Sequence, residues 1–525
     1  MNTTRASVSA LLVLGLLLSL LVATQSVSAD PADPACESYD SGDNASSTCE
    51  VTGRWTQIGH NNFEPTMGVT PEGGLYMATT PGRGVAVGWR AGVAKAESLD
   101  SAFTSGGWTD VQPTIAGYSN PPETNDPYAY VDPSTGRIFS FHMSPILLCS
   151  ILSFSDDGGE TWTTPPVGCG PSGAWDHQTM VAAPPTPGTV MLGDYPNVLI
   201  QCVNSVYAEM CARSLDGGLT WGAGYPAYPN PSLTGAGTQT GHLAAGPDGT
   251  IYLPSPNGGN QASIYVSDDS GLTWTEREIT DMDIPFSDPA IDLDAAGVLH
   301  VTWIDTNNHL WYALSTDKAV TFTEPVRVTS TGVHAELPAL VAGDAGRVAI
   351  AFAGTRDLPN GYDTDVAARD VSWGAYIAVT DTAIPGQSPT FDIVNTTGDD
   401  PIQRGTSCSS RCLFLVDFID VVVTPDGTPV AAFSDGCDNA ACIDGTASNN
   451  VTDRGKGMIA VADFDLCETT CHHFTPAEAG QSPLLGAVLP AAEHVGFEAR
   501  DVLGDARYEA LLQAHLDELG FTPAE

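Results

Sequence analysis

Basic residues are scarce in this 525-residue chain: 19 Lys and Arg face 63 Asp and Glu, for a formal charge of −44. Lysine is rarest, at Lys95, Lys318 and Lys456. Such a surface repels nucleic acid and anionic membranes, which excludes both as expected partners. Long apolar runs are also missing beyond residue 30. The stretch 484–492 is far shorter than the roughly 18 to 20 residues that cross a bilayer, so no membrane span is expected. The acidity itself reads as a solvated surface suited to salty surroundings.

The amino terminus differs. Arg5, an apolar run over 11–22, and Val27-Ser28-Ala29 before Asp30 have the layout of a secretory signal cleaved after Ala29. The segment DPAC around Cys36 lacks the apolar residues of a lipoprotein signal, so the expected product is secreted and soluble. Twelve cysteines fall into the local pairs Cys36/Cys49, Cys149/Cys169, Cys202/Cys211, Cys408/Cys412, Cys437/Cys442 and Cys467/Cys471. An even count in an exported chain points to disulfides, although sequence leaves the connectivity of the last six open. Export also favours oxidised thiols over zinc at CETTCHH, 467–473. No cofactor is required; calcium is a candidate because oxygen-rich acidic clusters suit that ion. Sequons stand at Asn44, Asn395 and Asn450.

What the chain has in quantity is one turn. It reads SDDGGETW at 155–162, SLDGGLTW at 214–221, SDDSGLTW at 267–274 and, degenerate, STDKAVTF at 315–322. Ser155, Asp157, Gly159 and Trp162 recur as Ser214, Asp216, Gly218 and Trp221, and as Ser267, Asp269, Gly271 and Trp274. Ser and Asp bond their own turn backbone, Gly takes positive φ, and Trp anchors the turn in a core. A second pattern precedes each turn: an acid, often Pro, an apolar strand, a Pro/Asp/Gly turn and another alternating strand. Its seven copies begin at Glu64, Asp126, Asp176, Thr240, Asp288, Leu337 and Phe418.

From each copy, roughly 27 to 44 residues lead to a turn motif or its remnant, room for the four strands of a propeller blade. The remnants are Ser98-Leu99-Asp100, Thr380-Asp381 and Ala462-Asp463. The expected fold is therefore all-β, a seven-bladed β-propeller over 51–475, closed by GRWTQIG at 53–59 in the last blade. Around it lie the signal peptide 1–29, a polar tether 30–50, and an extension 476–525 whose 503–519 stretch reads as a helix with Leu512, Leu516 and Leu519 on one stripe.

The S-x-D-x-G-x-T-W turns resemble the Asp box (BNR repeat) of sialidase-like β-propellers. That resemblance implies six blades as the alternative count and places the turns on the face opposite a binding pocket. The pocket face then receives the inner-strand starts and the loops between second and third strands. The starts supply Glu64, Asp126, Asp176 and Asp288, with His177, His242, Glu336, Asp417 and Asp420 nearby. Paired carboxylates in different environments suit general acid and base work, while an acid before Pro also caps a turn. The loops offer Arg83, His142, Tyr195, Asn257, Asp305, His309, Arg356 and Asp435, a mixture that bonds sugar hydroxyls and stacks on ring faces.

A sialidase resemblance also implies three arginines clamping the substrate carboxylate, a Tyr/Glu pair and an Asp acid. The expected Phe-Arg-Ile-Pro motif is absent, and NNFEPTMG puts Glu64 where an arginine belongs. Arg83, Arg90, Arg356, Arg369 and Arg404 remain for a divergent triad, and Tyr128 or Tyr130 for a nucleophile. Asp-box turns also accompany ten-bladed receptors, glucan hydrolases and a seven-bladed assembly factor. Two readings follow: a secreted propeller binding an extracellular glycan or protein, and a glycoside hydrolase using the ring of carboxylates.

Overall fold

Each sequence repeat folds into one antiparallel sheet standing on edge around a common axis. In the computed structural model the described residues are 36–39, 45–46, 49 and 51–474, except 84–88, 114–122, 125, 145–148, 166–175, 205–207, 230–239, 257–260, 285–287, 330–331, 358–370, 405–418 and 447–454. The inner strands of the seven blades are Met67–Val69, Pro127–Val131, Asp176–Ala183, Ala244–Ala245, Ala290–Leu293, His334–Ala342 and Asp420–Val423. Blades 1, 3, 4 and 5 then add three strands in sequence order. Among the described residues blade 2 has three strands, and a single bridge joins Phe154 to Thr163 beyond them.

The blades are apolar on both faces because both faces are buried. In blade 2, Ile138 packs toward blade 1 with Tyr76 and Val93, while its neighbour Phe139 packs toward blade 3 with Leu199. The same division puts Leu199 against blade 2 and Ile200 against blade 4. Strands such as VLIQCVN therefore read as continuous apolar runs, and the core is a series of layers between blades rather than one centre.

Closure is shared by the two ends of the propeller segment. Gly53–Asn62 pairs with Gly455–Ala462 and forms the outer strand of blade 7, the place expected for GRWTQIG. Two pieces of the stretch expected as a tether, 30–50, pair as strands. Its backbone at Cys36–Tyr39 adds to the outer strand of blade 6, Phe391–Asn395, and Ala45–Ser46 pairs beyond it. Disulfides join Cys202 to Cys211, Cys437 to Cys442 and Cys467 to Cys471. Cys49 is also disulfide-bonded, but the side chains of Cys36 and Cys149 and residues 169, 408 and 412 lie outside the described residues, as do the signal peptide and the 503–519 stretch.

The four Asp-box turns share one set of bonds. Ser155 Oγ donates to Asp157 Oδ1 at 2.8 Å and accepts from Gly159 N at 2.9 Å, while Asp157 accepts the Thr161 amide at 2.8 Å. Ser214/Asp216, Ser267/Asp269 and Ser315/Asp317 repeat it. Hydrogen bonds from Thr161, followed by that from Ser155, hold the exposed Asp157 carboxyl down at about 2. Trp162 crosses to blade 1, donating to Val111 O at 2.7 Å, and Trp221 packs with blade 2. The remnants diverge. At 98–100 the turn is replaced by a short helix, Leu99–Ala102, capped by Ser98 and Ser101, while Trp108 is the buried anchor. At 380 the bonding partner of Thr380 is Thr382 rather than Asp381.

Candidate functional site

Inner strands of neighbouring blades do not pair with each other, so backbone N–H groups facing the axis need other acceptors. Side chains of the preceding blade supply them. Thr66 Oγ1 accepts from Ala129 N at 2.8 Å, Tyr128 Oη from Met180 N at 3.1 Å, and Thr179 Oγ1 from Leu243 N at 2.8 Å. Asp420 Oδ2 accepts from Met67 N at 2.8 Å and thereby joins blade 7 to blade 1. One level further in, Tyr130 Oη accepts from Ala182 N and Asp292 Oδ2 from Ala342 N, both at 2.9 Å. Burial pushes the Tyr128 and Tyr130 hydroxyls up, so both stay protonated.

The belt surrounds a central cavity of about 690 Å³ that touches the inner strands of all seven blades. Toward the strand starts, side chains from blades that are not neighbours meet across it. His242 Nδ1 of blade 4 lies 3.5 Å from Asp420 Oδ1 of blade 7, and the His242 ring stands edge-on to Tyr128 of blade 2 with centroids 5.7 Å apart. His177 Nδ1 of blade 3 lies 3.4 Å from Asp288 Oδ2 of blade 5. Gly241 permits this convergence: a Cβ there would fall 2.3 Å from the Pro289 carbonyl oxygen. Among the described residues, no Arg or Lys lines the cavity, and no group of three or more His, Cys, Asp or Glu is arranged to hold a metal ion.

Of the four acids expected at the inner-strand starts, Asp288 lines the cavity. Glu64 is buried, with φ 57°, and does not line it. Asp126 is buried beneath His177, whose amide lies 3.4 Å from Asp126 Oδ2. The Asp176 backbone opens the inner strand of blade 3, but its side chain lies outside the described residues. Glu336 stands at the start of blade 6, accepts from Asn308 Nδ2, and is pushed up to about 8 by burial against the opposing effect of that bond.

The loop residues divide by location. His142 is fully buried within its sheet, 3.2 Å from Ser140 Oγ, and burial lowers it to about 3; it belongs to the core of blade 2. Tyr195 lies at the Asp-box end instead of the pocket face, because the long first turn of blade 3 carries it to Asp132, Thr135 and the Arg137 guanidinium. Asp305 holds its own loop, accepting from Asn307 N, His309 N and Trp311 Nε1, while His309 stacks on His334. Asp435 accepts from Gln57 Nε2 at 2.6 Å and Cys437 N at 2.8 Å, and burial pushes it up to about 6 despite both bonds. Arg356 is exposed at the end of its strand. Asn257 and the Arg83 side chain lie outside the described residues. Arg404 donates to the carbonyls of Cys442 and Ile443.

The sequence reading missed the roles of Thr66, Tyr128 and Thr179. The signal was present, since each falls two or three residues after a repeat start. No family model and no curated protein matches the sequence. Solved structures resemble the chain at low identity. A protein of unknown function from Dyadobacter fermentans DSM 18053 is 14% identical with a TM-score of 0.43, covering 79% of this chain and 99% of that one. The intramolecular trans-sialidase from Ruminococcus gnavus is 13% identical with a TM-score of 0.40, covering 65% and 96%. The α-L-arabinanase of Penicillium chrysogenum is 13% identical with a TM-score of 0.38, covering 66% and 98%. Likeness at this level carries no conclusion about reaction.

Proposed function

We propose that the protein is an exported propeller that binds a neutral glycan at the strand-start end of its channel. The observation that carries this reading is the set of His242, Asp420 and Asp288 in the cavity lining, without an Arg or Lys among the described lining residues. Imidazole and carboxylate groups exchange hydrogen bonds with neutral hydroxyls, and the Tyr128 edge offers an apolar contact. An anionic sugar would meet Asp288 and Asp420 with no fixed guanidinium to offset them. Three described disulfides support export.

A glycan array tests this directly. Retention of neutral glycans is expected, and His242→Ala and Asp288→Asn should each weaken it about tenfold or more, the size of one hydrogen bond to a desolvated partner. Asp288 is the cleaner probe because Asp420 also closes the ring. Retention confined to sialylated glycans, or retention unchanged in both variants, would remove the proposal.

A further inference from the structure

The Asp-box end of the channel carries a polar group of its own. Asp132, Ser134, Asn197, Asp292, His472 and His473 line the cavity there. Asp132 follows the inner strand Pro127–Val131, and Asp292 lies near the end of Ala290–Leu293. The two histidines arrive from outside the blades, on a 3-10 turn, His472–Phe474, that follows the Cys467–Cys471 disulfide. Tyr130 stands between the two halves. Its hydroxyl is held protonated chiefly by burial, and both Asp132 and Asp292 add to that through their charge, so the two carboxylates act on one space.

Every side-chain donor of this group is already committed. Asn197 Nδ2 donates to Asp132 Oδ2 at 2.7 Å and to Ser134 Oγ at 2.8 Å, and the Ser134 hydroxyl donates to Asp132 Oδ1 at 2.8 Å. His473 Nε2 lies 3.2 Å from Asp292 Oδ2, and an ionised carboxylate only accepts, so the proton belongs to that nitrogen. His472, lowered to about 4 by burial, is neutral, and its backbone partner is Leu293.

What is left over is acceptors. Asn197 is 3% exposed, yet its Oδ1 has no partner among the described residues, and neither has Nδ1 of His472 or of His473. Asp292 and His473 keep 18% and 21% of their side-chain surface exposed. Burial opposes the Asp292 charge, but His473 and the Ala342 amide hold its carboxyl below the usual range. Orphaned acceptors are costly, and a ligand that brings only donors removes that cost. An anion would meet two carboxylates, with no Arg or Lys among the described lining residues to offset them. A neutral hydroxyl would bring lone pairs that find no free side-chain donor. Pro133, Pro184 and Pro247 add apolar surface beside the group.

We propose that the Asp-box end of the channel binds a small organic cation, a primary ammonium on a short hydrocarbon chain, whose N–H groups pair with Asp292, His473 Nδ1 and Asn197 Oδ1. The site is independent of the ligand taken at the strand starts. Titration calorimetry of the full-length protein at fixed ionic strength tests it with butylammonium chloride as the probe. Saturable binding is expected, with tetramethylammonium, which has charge but no N–H, and butanol, which has no charge, each weaker by about tenfold or more. Asp292→Asn and His473→Phe should each weaken butylammonium by about tenfold or more while circular dichroism stays that of the parent. Asp288→Asn, at the other end, should leave it unchanged. No saturable binding, equal affinity for tetramethylammonium, unchanged binding in both folded variants, or an equal loss in Asp288→Asn would each overturn the proposal. Zinc ion bound through His472 and His473 in place of butylammonium would overturn it as well, in favour of a metal site.

Discussion

Ala319 stands where three other turns place glycine. Its φ is 62° and that of Lys318 is 60°, against 73° and 95° for Gly217 and Gly218. The degenerate turn therefore keeps its bonds while holding two side chains in the left-handed region, a strain of roughly 1–2 kcal/mol per residue. Glycine-to-alanine changes in the intact turns separate backbone strain from packing. A Cβ on Gly218 would sit 3.4 Å from Phe139 Cε1, ordinary contact, but one on Gly159 would sit 2.7 Å from Val111 Cβ. Gly218→Ala is expected to cost about 1–2 kcal/mol in denaturant unfolding, and Gly159→Ala distinctly more; equal losses would refute the packing distinction. Glu336 makes a residue-level prediction of another kind. With its carboxyl raised from 4.5 to about 8, the folded protein keeps a proton that the unfolded chain has released between those values. Its contribution to stability falls as pH rises through that window and is flat below it. Glu336→Gln preserves an acceptor for Asn308 and removes the titration. Thermal unfolding should show the variant gaining on the parent from pH 5 to pH 8; a constant difference would deny Glu336 its raised pKa.

At the scale of strands, the belt of side chain to backbone bonds explains which inner-strand residues are polar. Thr179 is fully buried, and its hydroxyl is the acceptor for Leu243 N. Thr179→Val keeps the shape and strands that amide, at about 1–3 kcal/mol. Thr109→Val, on an exposed strand, should stay within about 0.5 kcal/mol. Comparable losses from both substitutions would mean that the belt does not hold the blades. The contrast also separates what was legible in the sequence from what was not. Asp-box bonds link residues two to four apart, as from Ser155 to Asp157 and Gly159, so the pattern could be read off one turn. The seven repeats were legible because each hairpin must bury two faces. The contact of His242 with Asp420 spans 178 residues and depends on the radial position of two blades, which no local pattern encodes. Tyr195 shows the converse failure. Counting from the repeat start put it on the pocket face, but the longer first turn of blade 3 moved it to the other end.

The whole ring is stabilised where its first described long strand meets its last. Gly53–Asn62 shields Gly455–Ala462, and Ile58 is buried in the layer shared by blades 6, 7 and 1. A chain beginning at Phe63 loses the burial of Ile58, worth about 2–5 kcal/mol by analogy with large-to-small core changes. It also exposes a sheet edge whose third strand is buried over most of its length. Such a chain should unfold at markedly lower denaturant concentration and associate as its concentration rises. A synthetic peptide of residues 51–62 supplied in trans should add back the missing strand and reverse both effects. The peptide's register is testable too: a version with Ile58→Asp should fail, because Ile58 is the buried apolar residue that this strand sets into the shared layer, with Trp55 packed at its margin. Stability unchanged without residues 51–62 would show that the seventh blade closes without its partner from the other end of the chain.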